Sequence, residues 1–375
     1  MEEKGIAQAS HRLGLTLLRT LAQNDTGNIC ISPFSLANAM TMLYFGARND
    51  TAVEINKILQ FENMSEQELM TSFDLLLSAI EKSSEDYSLE CANAAMIEGN
   101  ASIHDSYRKV LVESFHAVLL QENFSKDPDL AVTHVNEWVT VKTKGMIKEL
   151  IKRLSPLTVM VILNAVYFKG TWEHQFRKKD TLSQKFYNHG EKKEARKVDM
   201  MHIKERFGYV ETSTYQALQL PYKGKDIAML ILLPRSQTGL KELESQLAPT
   251  FVEDLEKEML NMKVKVSLPK FRVEYFKELT DTLKALGMVK AFNDGQADLT
   301  GITDLKGIYV SKIYHKAVIE VNEEGSEASA ATAVVNALRS RPPPVPEFTA
   351  DHPFLFTIYN TKNKLNLFTG RIMEL

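Results

Sequence analysis

The 375-residue sequence predicts a single α+β domain. Three observations lead there. Apolar residues recur at helical spacing through the first third of the chain. From about residue 158 the texture changes to short apolar or alternating runs that read as strands. Between the two regions there is no Gly/Ser linker, internal repeat or low-complexity tract that would divide residues 1–375 into separate domains.

Taken in order, Ile6, Ala9, Leu13, Leu17 and Leu21 form the apolar face of a helix that ends before Gly27. In SPFSLANAMTMLYFGA, Ser32 supplies an N-cap, Pro33 the first helical position and Gly46 the stop. Thr51 and Glu54 have the spacing of a capping box for a third helix. TVMVILNAVYF, DIAMLILLP, KAVIEV and FLFTIYN are continuously apolar, as strands covered on both faces must be. In MKVKVSL, Lys263 and Lys265 alternate with Val264 and Val266, the pattern of a strand with one face in water.

After KAVIEV comes EEGSEASAATAVVNALRSRPPP, Glu323 to Pro344, which fits none of these classes. From Gly325 to Val335 nothing is bulky and Glu327 carries the sole charge. The composition favours helix, yet no stripe at period 3.6 would dock it. At period 2, Ser326, Ala328, Ala330, Thr332 and Val334 share one face and Glu327 and Ser329 the other. A linker, a helix, or a strand held out of its sheet are the open readings.

Composition narrows the function. With 44% hydrophobic and 25% charged residues the chain is a soluble globular protein, and a formal charge of -3 predicts no general affinity for nucleic acid. No run reaches the roughly 18 apolar residues of a membrane span. Cys30 and Cys91 lack metal spacing and read as buried free thiols. No G-x-S-x-G, H-E-x-x-H, C-x-x-C or glycine-rich phosphate loop occurs, so neither an enzyme nor a metal or other cofactor is expected. Five N-x-Ser/Thr sequons, at Asn24, Asn49, Asn63, Asn100 and Asn123, favour a secreted glycoprotein whose signal has been removed, with a cytoplasmic protein as the alternative.

Motifs along nearly the whole chain resemble those of the serpins, in family order: SPFSLANAMTMLYFGA, VNEWVTVKTKGMIKELI, LNAVYFKGTWEHQF, HKAVIEVNEEGSEASAATA, ADHPFLFTIYN and LFTGRI. The style is similar to that of arthropod extracellular members. The resemblance implies three β-sheets, about nine helices and an exposed reactive-centre loop over about 323–344. It also implies a monomer whose partners are trypsin-like serine proteases, trapped irreversibly. In that register Arg339 and Ser340 flank the reactive bond, with Leu338 and Arg341 beside it. Arg341 is the alternative, but Pro342 follows it. An arginine offers a fixed charge to an acidic specificity pocket. The protease's own serine would form its acyl-enzyme, and the hinge, Glu323, Gly325, Ser326, Glu327, Ala328, Ser329, Ala330, Ala331 and Thr332, would enter the central sheet as a strand. No proline before the bond opposes this.

The same resemblance places Ser32, Ser35, Asn164 and His315 where the sheet must part. It pairs Glu323 with Lys270, near Trp172, as an exposed pair of little energetic weight. A non-inhibitory serpin, a carrier or chaperone, is the rival; its hinge would tend to bulky, charged or Pro residues, which this one lacks. Glycosaminoglycan binding finds little support. The basic region Lys178, Lys179, Lys192, Lys193, Arg196 and Lys197 is interspersed with acids, and EQELMTSFDLLLSAIEKS is poor in Lys and Arg.

Overall fold

A computed structural model describes residues 2–61, 64–81, 86–324 and 344–375. Among them are nine α-helices: α1 (Glu2–Ala22), α2 (Pro33–Gly46), α3 (Asn49–Leu59), α4 (Glu66–Glu81), α5 (Asp105–Phe115), α6 (Pro128–Lys142), α7 (Leu240–Gln246), α8 (Phe251–Glu258) and α9 (Thr280–Ala285). The strands are β1 (Ile29–Ile31), β2 (Tyr87–Glu98), β3 (Val118–Glu122), β4 (Met160–Gly170), β5 (Leu182–Tyr187), β6 (Ala195–Glu211) and β7 (Tyr215–Pro221), then β8 (Ile227–Pro234), β9 (Leu260–Pro269), β10 (Phe271–Glu278), β11 (Lys312–Val321), β12 (Glu347–Thr349), β13 (Phe354–Asn360) and β14 (Asn366–Ile372).

The central sheet runs β10-β11-β4-β2-β3. The remaining strands form the order β1-β14-β13-β8-β7-β6-β9-β12, with β5 also on β6. The long strand β6 joins what the resemblance treats as two sheets, because its end at Gly208–Glu211 pairs with β7 while Met200–Tyr209 pairs with β9. Period-2 burial on the central sheet fixes two layers. Ile162, Val166 and Phe168 of β4 and Ile313, Ala317 and Ile319 of β11 enter the main core. On the other face Val161, Leu163, Ala165 and Tyr167, with Val318, pack against Ala131, Val135 and Val139 of α6 and against Ile147, Leu150 and Ile151 beyond it.

Helix α2 begins as its sequence predicts. Ser32 is the N-cap, its side chain accepts from Ser35 N–H, and Pro33 opens the helix. Gly46, however, serves packing rather than a turn: a Cβ there would drive into Ile302 and the Tyr107 ring. The capping box expected at Thr51 and Glu54 does not form. Helix α3 starts at Asn49, Thr51 Oγ1 accepts from Asp298 N–H at 3.0 Å, and Glu54 accepts from Val289 and Lys290 N–H at 2.7 Å. Both side chains hold a distant segment instead of their own helix. Strand β2 escapes sequence reading, since its Ala-rich centre, CANAAM, carries no β-propensity signal and owes its conformation to pairing with β4 and β3.

In LFTGRI, Gly370 of β14 pairs with Cys30 of β1, and a Cβ there would fall inside contact distance of the Ile29 carbonyl oxygen and the Phe356 ring. Because backbone cannot yield as a side chain can, Gly370→Ala is expected to destabilise by about 1–3 kcal/mol, seen as a lower melting temperature; an unchanged melting temperature would show that β1 shifts freely.

Candidate functional site

In the central sheet one parallel pair is flanked on both sides by antiparallel pairing, and there two strands could part; the other parallel pair, β2 with β3, lies at the sheet's edge. Strands β11 and β4 run side by side from Lys312↔Val161 to Glu320↔Lys169, while β10–β11 and β4–β2 are antiparallel. Parallel ladders are slightly the weaker per residue. The chain leaves the upper end of β11 at Val321, directly before the anomalous tract, and is described again from Pro344, leading into β12 on β9. The reactive-bond and flanking residues Leu338 to Arg341, and the hinge Gly325 to Thr332, lie outside the described residues, as does Asn63.

Midway along this seam, register aligns Asn93 of β2, Asn164 of β4 and His315 of β11 in one row, with Ser32 and Ser35 at the start of α2 against it. Ser32 N–H donates to His315 Nε2 at 3.2 Å. A backbone N–H can only donate, so Nε2 is the unprotonated nitrogen and Nδ1 carries the hydrogen. Nδ1–H then donates to Asn164 Oδ1 at 2.5 Å. That fixes the amide orientation: Asn164 Nδ2 donates to Ser35 Oγ at 2.6 Å, to the Ser35 carbonyl at 3.1 Å and to Asn93 Oδ1. Ser32 Oγ donates to the Leu367 carbonyl at 2.6 Å. Asn164 and His315 are wholly buried, and burial pushes the imidazole down to about 3. It is neutral at physiological pH, as the hydrogen-bond roles require. Asn93 was not singled out from the sequence; an Asn within an alanine run, on what proves to be a sheet's inner face, was the available signal.

The upper end of the seam is ionic. Glu323 pairs with Lys270 at 2.9 Å and accepts from Thr181 Oγ1 at 2.9 Å. This corrects the expectation of an exposed pair: the Glu323 side chain is 6% exposed, although Lys270 is 41% exposed. Burial raises the Glu323 carboxyl, but the Lys270 ammonium, its own backbone N–H and the Thr181 hydroxyl outweigh burial and leave it below the usual carboxylate range. Trp172 stacks on Tyr222 at 4.4 Å and donates from Nε1 to the Asn322 carbonyl at 2.8 Å. Lys169, at the head of β4, reaches Glu324 at 2.6 Å and Glu320 at 3.5 Å, tying β4 to the departing chain.

A family model described as "Serpin (serine protease inhibitor)" matches residues 8–375. The chain belongs to the serpin family. Iripin-8 of Ixodes ricinus is 37% identical over 99% of this chain and 94% of its own length. Intracellular coagulation inhibitor 1 of Tachypleus tridentatus is 37% identical over 99% of this chain and 89% of its own. Among solved structures, uncleaved ovalbumin superposes with a TM-score of 0.90 at 28% identity, covering 99% of this chain and 100% of that one. The fold and the family expected from the motifs are therefore those found.

Two measurements test the seam. Asn164→Ala leaves His315 Nδ1–H and Ser35 without their partner and should cost about 1–3 kcal/mol, with faster spontaneous inactivation; unchanged melting and inactivation would remove Asn164 from the seam. For pH, the His315 pKa is lower folded than unfolded, so the unfolded chain takes up the proton first. Stability is thus full above about 6.5 and falls as pH drops toward about 3. His11, pushed down to about 4 by burial, acts in the same direction. His315→Gln should flatten the acid limb but retain the His11 part; an identical pH profile would contradict the assignment.

Proposed function

We propose that this serpin inhibits Arg-directed, trypsin-like serine proteases by taking its own cleaved loop into the seam between β11 and β4. The observation that carries the proposal is topological. A chain leaving the upper end of β11 and folding back runs antiparallel to β11, and hence to β4, which is parallel to it. One parallel interface then becomes two antiparallel ones, with an added strand's complement of hydrogen bonds. The protease acylated at Arg339 would be carried along before water could release it.

The sequence supports this at the loop: Arg339 before Ser340 suits an acidic specificity pocket, and the hinge, free of Pro and bulky groups, suits a packed sheet. Neither the target nor its Arg preference comes from the relatives, whose printed names concern coagulation in one case and no protease in the other. The protein then acts as a monomeric consumed reagent and not as an enzyme, with Glu323, Lys270 and Trp172 holding the upper end of the seam and Ser32, Ser35, Asn164 and His315 its middle. Basic residues 178–197 play no part in this reading. Neighbouring hinge positions separate it from a carrier or chaperone role. On this reading an arginine at Ala328 would face the core and enter it unpaired, at a cost of several kcal/mol. At Ser329 it would lie on the outer face, toward the charged rim of Lys169 and Glu320. Against trypsin, Ala328→Arg should be cleaved after Arg339 with little SDS-stable complex, Ser329→Arg should largely retain complex formation, and Arg339→Ala should lose trypsin inhibition at unchanged melting temperature. Equal behaviour of the two hinge variants would overturn insertion in this register; release of a C-terminal peptide beginning elsewhere than Ser340 would move the bond.

We further propose secretion as a glycoprotein. Asn24, Asn49, Asn100 and Asn123 are exposed. Asn49 is the exception in chemistry, because its Nδ2 donates to Asp298 Oδ2 at 2.7 Å and a glycan on that nitrogen would break the bond. The printed name of the coagulation inhibitor favours an intracellular alternative. Expressed with a signal peptide in a eukaryotic host, the chain should carry glycosidase-sensitive mass at Asn24, Asn100 or Asn123 and none at Asn49. An unmodified product would count for the cytoplasm.

A further inference from the structure

Helix α4 carries carboxylates and no cation of its own. Asp74 and Glu81 stand seven residues apart, on one face and two turns from each other, in a helix that contains neither Lys nor Arg. Their cation comes from the end of α5. His116 lies 2.9 Å from both, Nε2 against Asp74 Oδ1 and Nδ1 against Glu81 Oε2, and its side chain is 20% exposed. A carboxylate only accepts, so both ring nitrogens must donate, and the ring that fits is the imidazolium. Loss of either hydrogen would set a nitrogen lone pair against a carboxylate oxygen. Burial lowers the His116 pKa, but the hydrogen bonds and charges of Asp74 and Glu81 outweigh burial and leave it above the ordinary 6.5.

The backbone singles out the same residue. His116 follows α5 in the left-handed conformation, φ 48° and ψ 36°, where glycine is the ordinary choice, so an imidazole is kept there against backbone preference. Among the described residues, the other charges of the elements packed around it are remote or engaged. Glu66, Glu68 and Asp105 lie in the first turns of α4 and α5. On α5, Lys109 pairs with Glu113 at 3.9 Å and Arg108 donates to Gln121. Glu90 of β2 pairs with Lys144, Glu98 accepts from Phe124 N–H, and Glu122 of β3 pairs with His134; α2 carries no charge. Beneath the ion pairs, Phe115 packs on Phe73 at 5.5 Å and Phe73 stacks on Phe34 of α2 at 5.9 Å. That contact does not titrate.

These ion pairs bridge a joint of the central sheet. Strand β10 is tied to the turn after α1, since Asp25 accepts from Tyr275 at 2.5 Å and from Lys277 at 2.8 Å, which leaves β4, β2 and β3 as the half that would move if the seam parted. Strand β3 is the free edge of that half and begins just after His116, at Val118. We propose that His116 is a pH-operated clasp on this half of the sheet, closed as the imidazolium bridging Asp74 and Glu81 and loosened when the ring gives up a proton, and that it thereby sets how fast the cleaved loop enters beside β11. The effect on the loop rests on the insertion reading; the clasp does not. Because folding raises the pKa of His116, its stabilisation is complete below about 6.5 and is lost as pH rises through the folded value. The His315 row has the opposite sign, so acid tightens the edge of the sheet while it weakens the middle.

The test compares the parent with two variants of the full chain. His116→Asn tolerates the left-handed backbone without a charge. His116→Lys keeps a cation throughout, and Lys144, Lys225 and Lys364 already occupy positive φ in this chain. Melting temperatures are measured from about pH 5.5 to about 8.5, the range in which an imidazole titrates. The parent should melt above the Asn variant in acid and converge on it at the alkaline end, while the Lys variant keeps its margin. The stoichiometry of trypsin inhibition is then compared among the three at each pH, so that the protease's own pH dependence cancels. At the acid end the parent should lose more molecules to cleavage without complex than the Asn variant, by up to about fivefold, the reach of a partly exposed ion pair. At the alkaline end the two should match and the Lys variant should stay high. A melting difference between parent and Asn variant that does not change with pH, or a Lys variant that follows the Asn variant, overturns the clasp. Equal stoichiometries for all three at every pH overturn its hold on the sheet. A parent that forms no SDS-stable complex at any pH sinks the insertion reading instead, and the melting curves still decide the clasp.

Discussion

Everything distinctive in this molecule depends on one parallel contact, β11 beside β4, being closed. On the insertion reading, a strand formed from the upper end of β11 would run antiparallel to both neighbours, so the closed seam would be the less bonded of two arrangements. It is held at two heights and by the ladder between them. Lys169 and Trp172 tie the upper end to Glu324 and to the Asn322 carbonyl, the Asn93, Asn164 and His315 row ties the middle, and backbone pairing between them does the rest. Each is a hydrogen bond or ion pair with a definite geometry. Such contacts are lost together when strands separate and cannot be stretched gradually.

The row in the middle has a consequence for its own chemistry. A His placed there must be neutral, because its Nε2 accepts and its Nδ1–H donates. Full burial lowers its pKa and so favours the same neutral form. Protonation would turn Nε2 into a second donor facing the Ser32 N–H, which is itself a donor, so the seam's lock and the charge state of His315 are one property.

Much of this was legible in the sequence because the signals were local or repeated. The α2 cap is written in Ser32 and Pro33, the alternation of β9 in Lys263 to Val266, and the family in several long motifs. What failed did so where tertiary contacts decide. Thr51 and Glu54 look like a cap, yet their side chains are taken by Asp298 and by Val289 and Lys290. Glu323 looks like half of a surface ion pair, but Thr181, 142 residues away in sequence, closes over it. That Asn93 stands in the same row as Asn164 and His315 is known only from the register.

The composition of the tract after Glu323 is explained further by the outer face of the central sheet. Reading at period 2 justified small residues only on the inward side. The outward side is not open water. Its upper rim holds Lys169 and Glu320, and below Tyr167 and Val318 it is sealed by Val135 and Val139 of α6 and by Ile147 and Leu150. Lys316 pins that cover to β11 through the Glu149 carbonyl at 2.5 Å, and Lys144 pins it to Glu90 of β2 at 2.7 Å. On the insertion reading, the outward residues therefore descend from an ionic rim into an apolar slot. The sequence descends with them: Glu327, then Ser329, then Ala331, Ala333 and Val335. On that reading charge would come first, toward Lys169 and Arg272, and small apolar groups would follow beneath α6. A strand meant only to alternate between core and solvent would have no reason to turn apolar on its outward side from Ala331 onward; one meant to slide beneath a helix would.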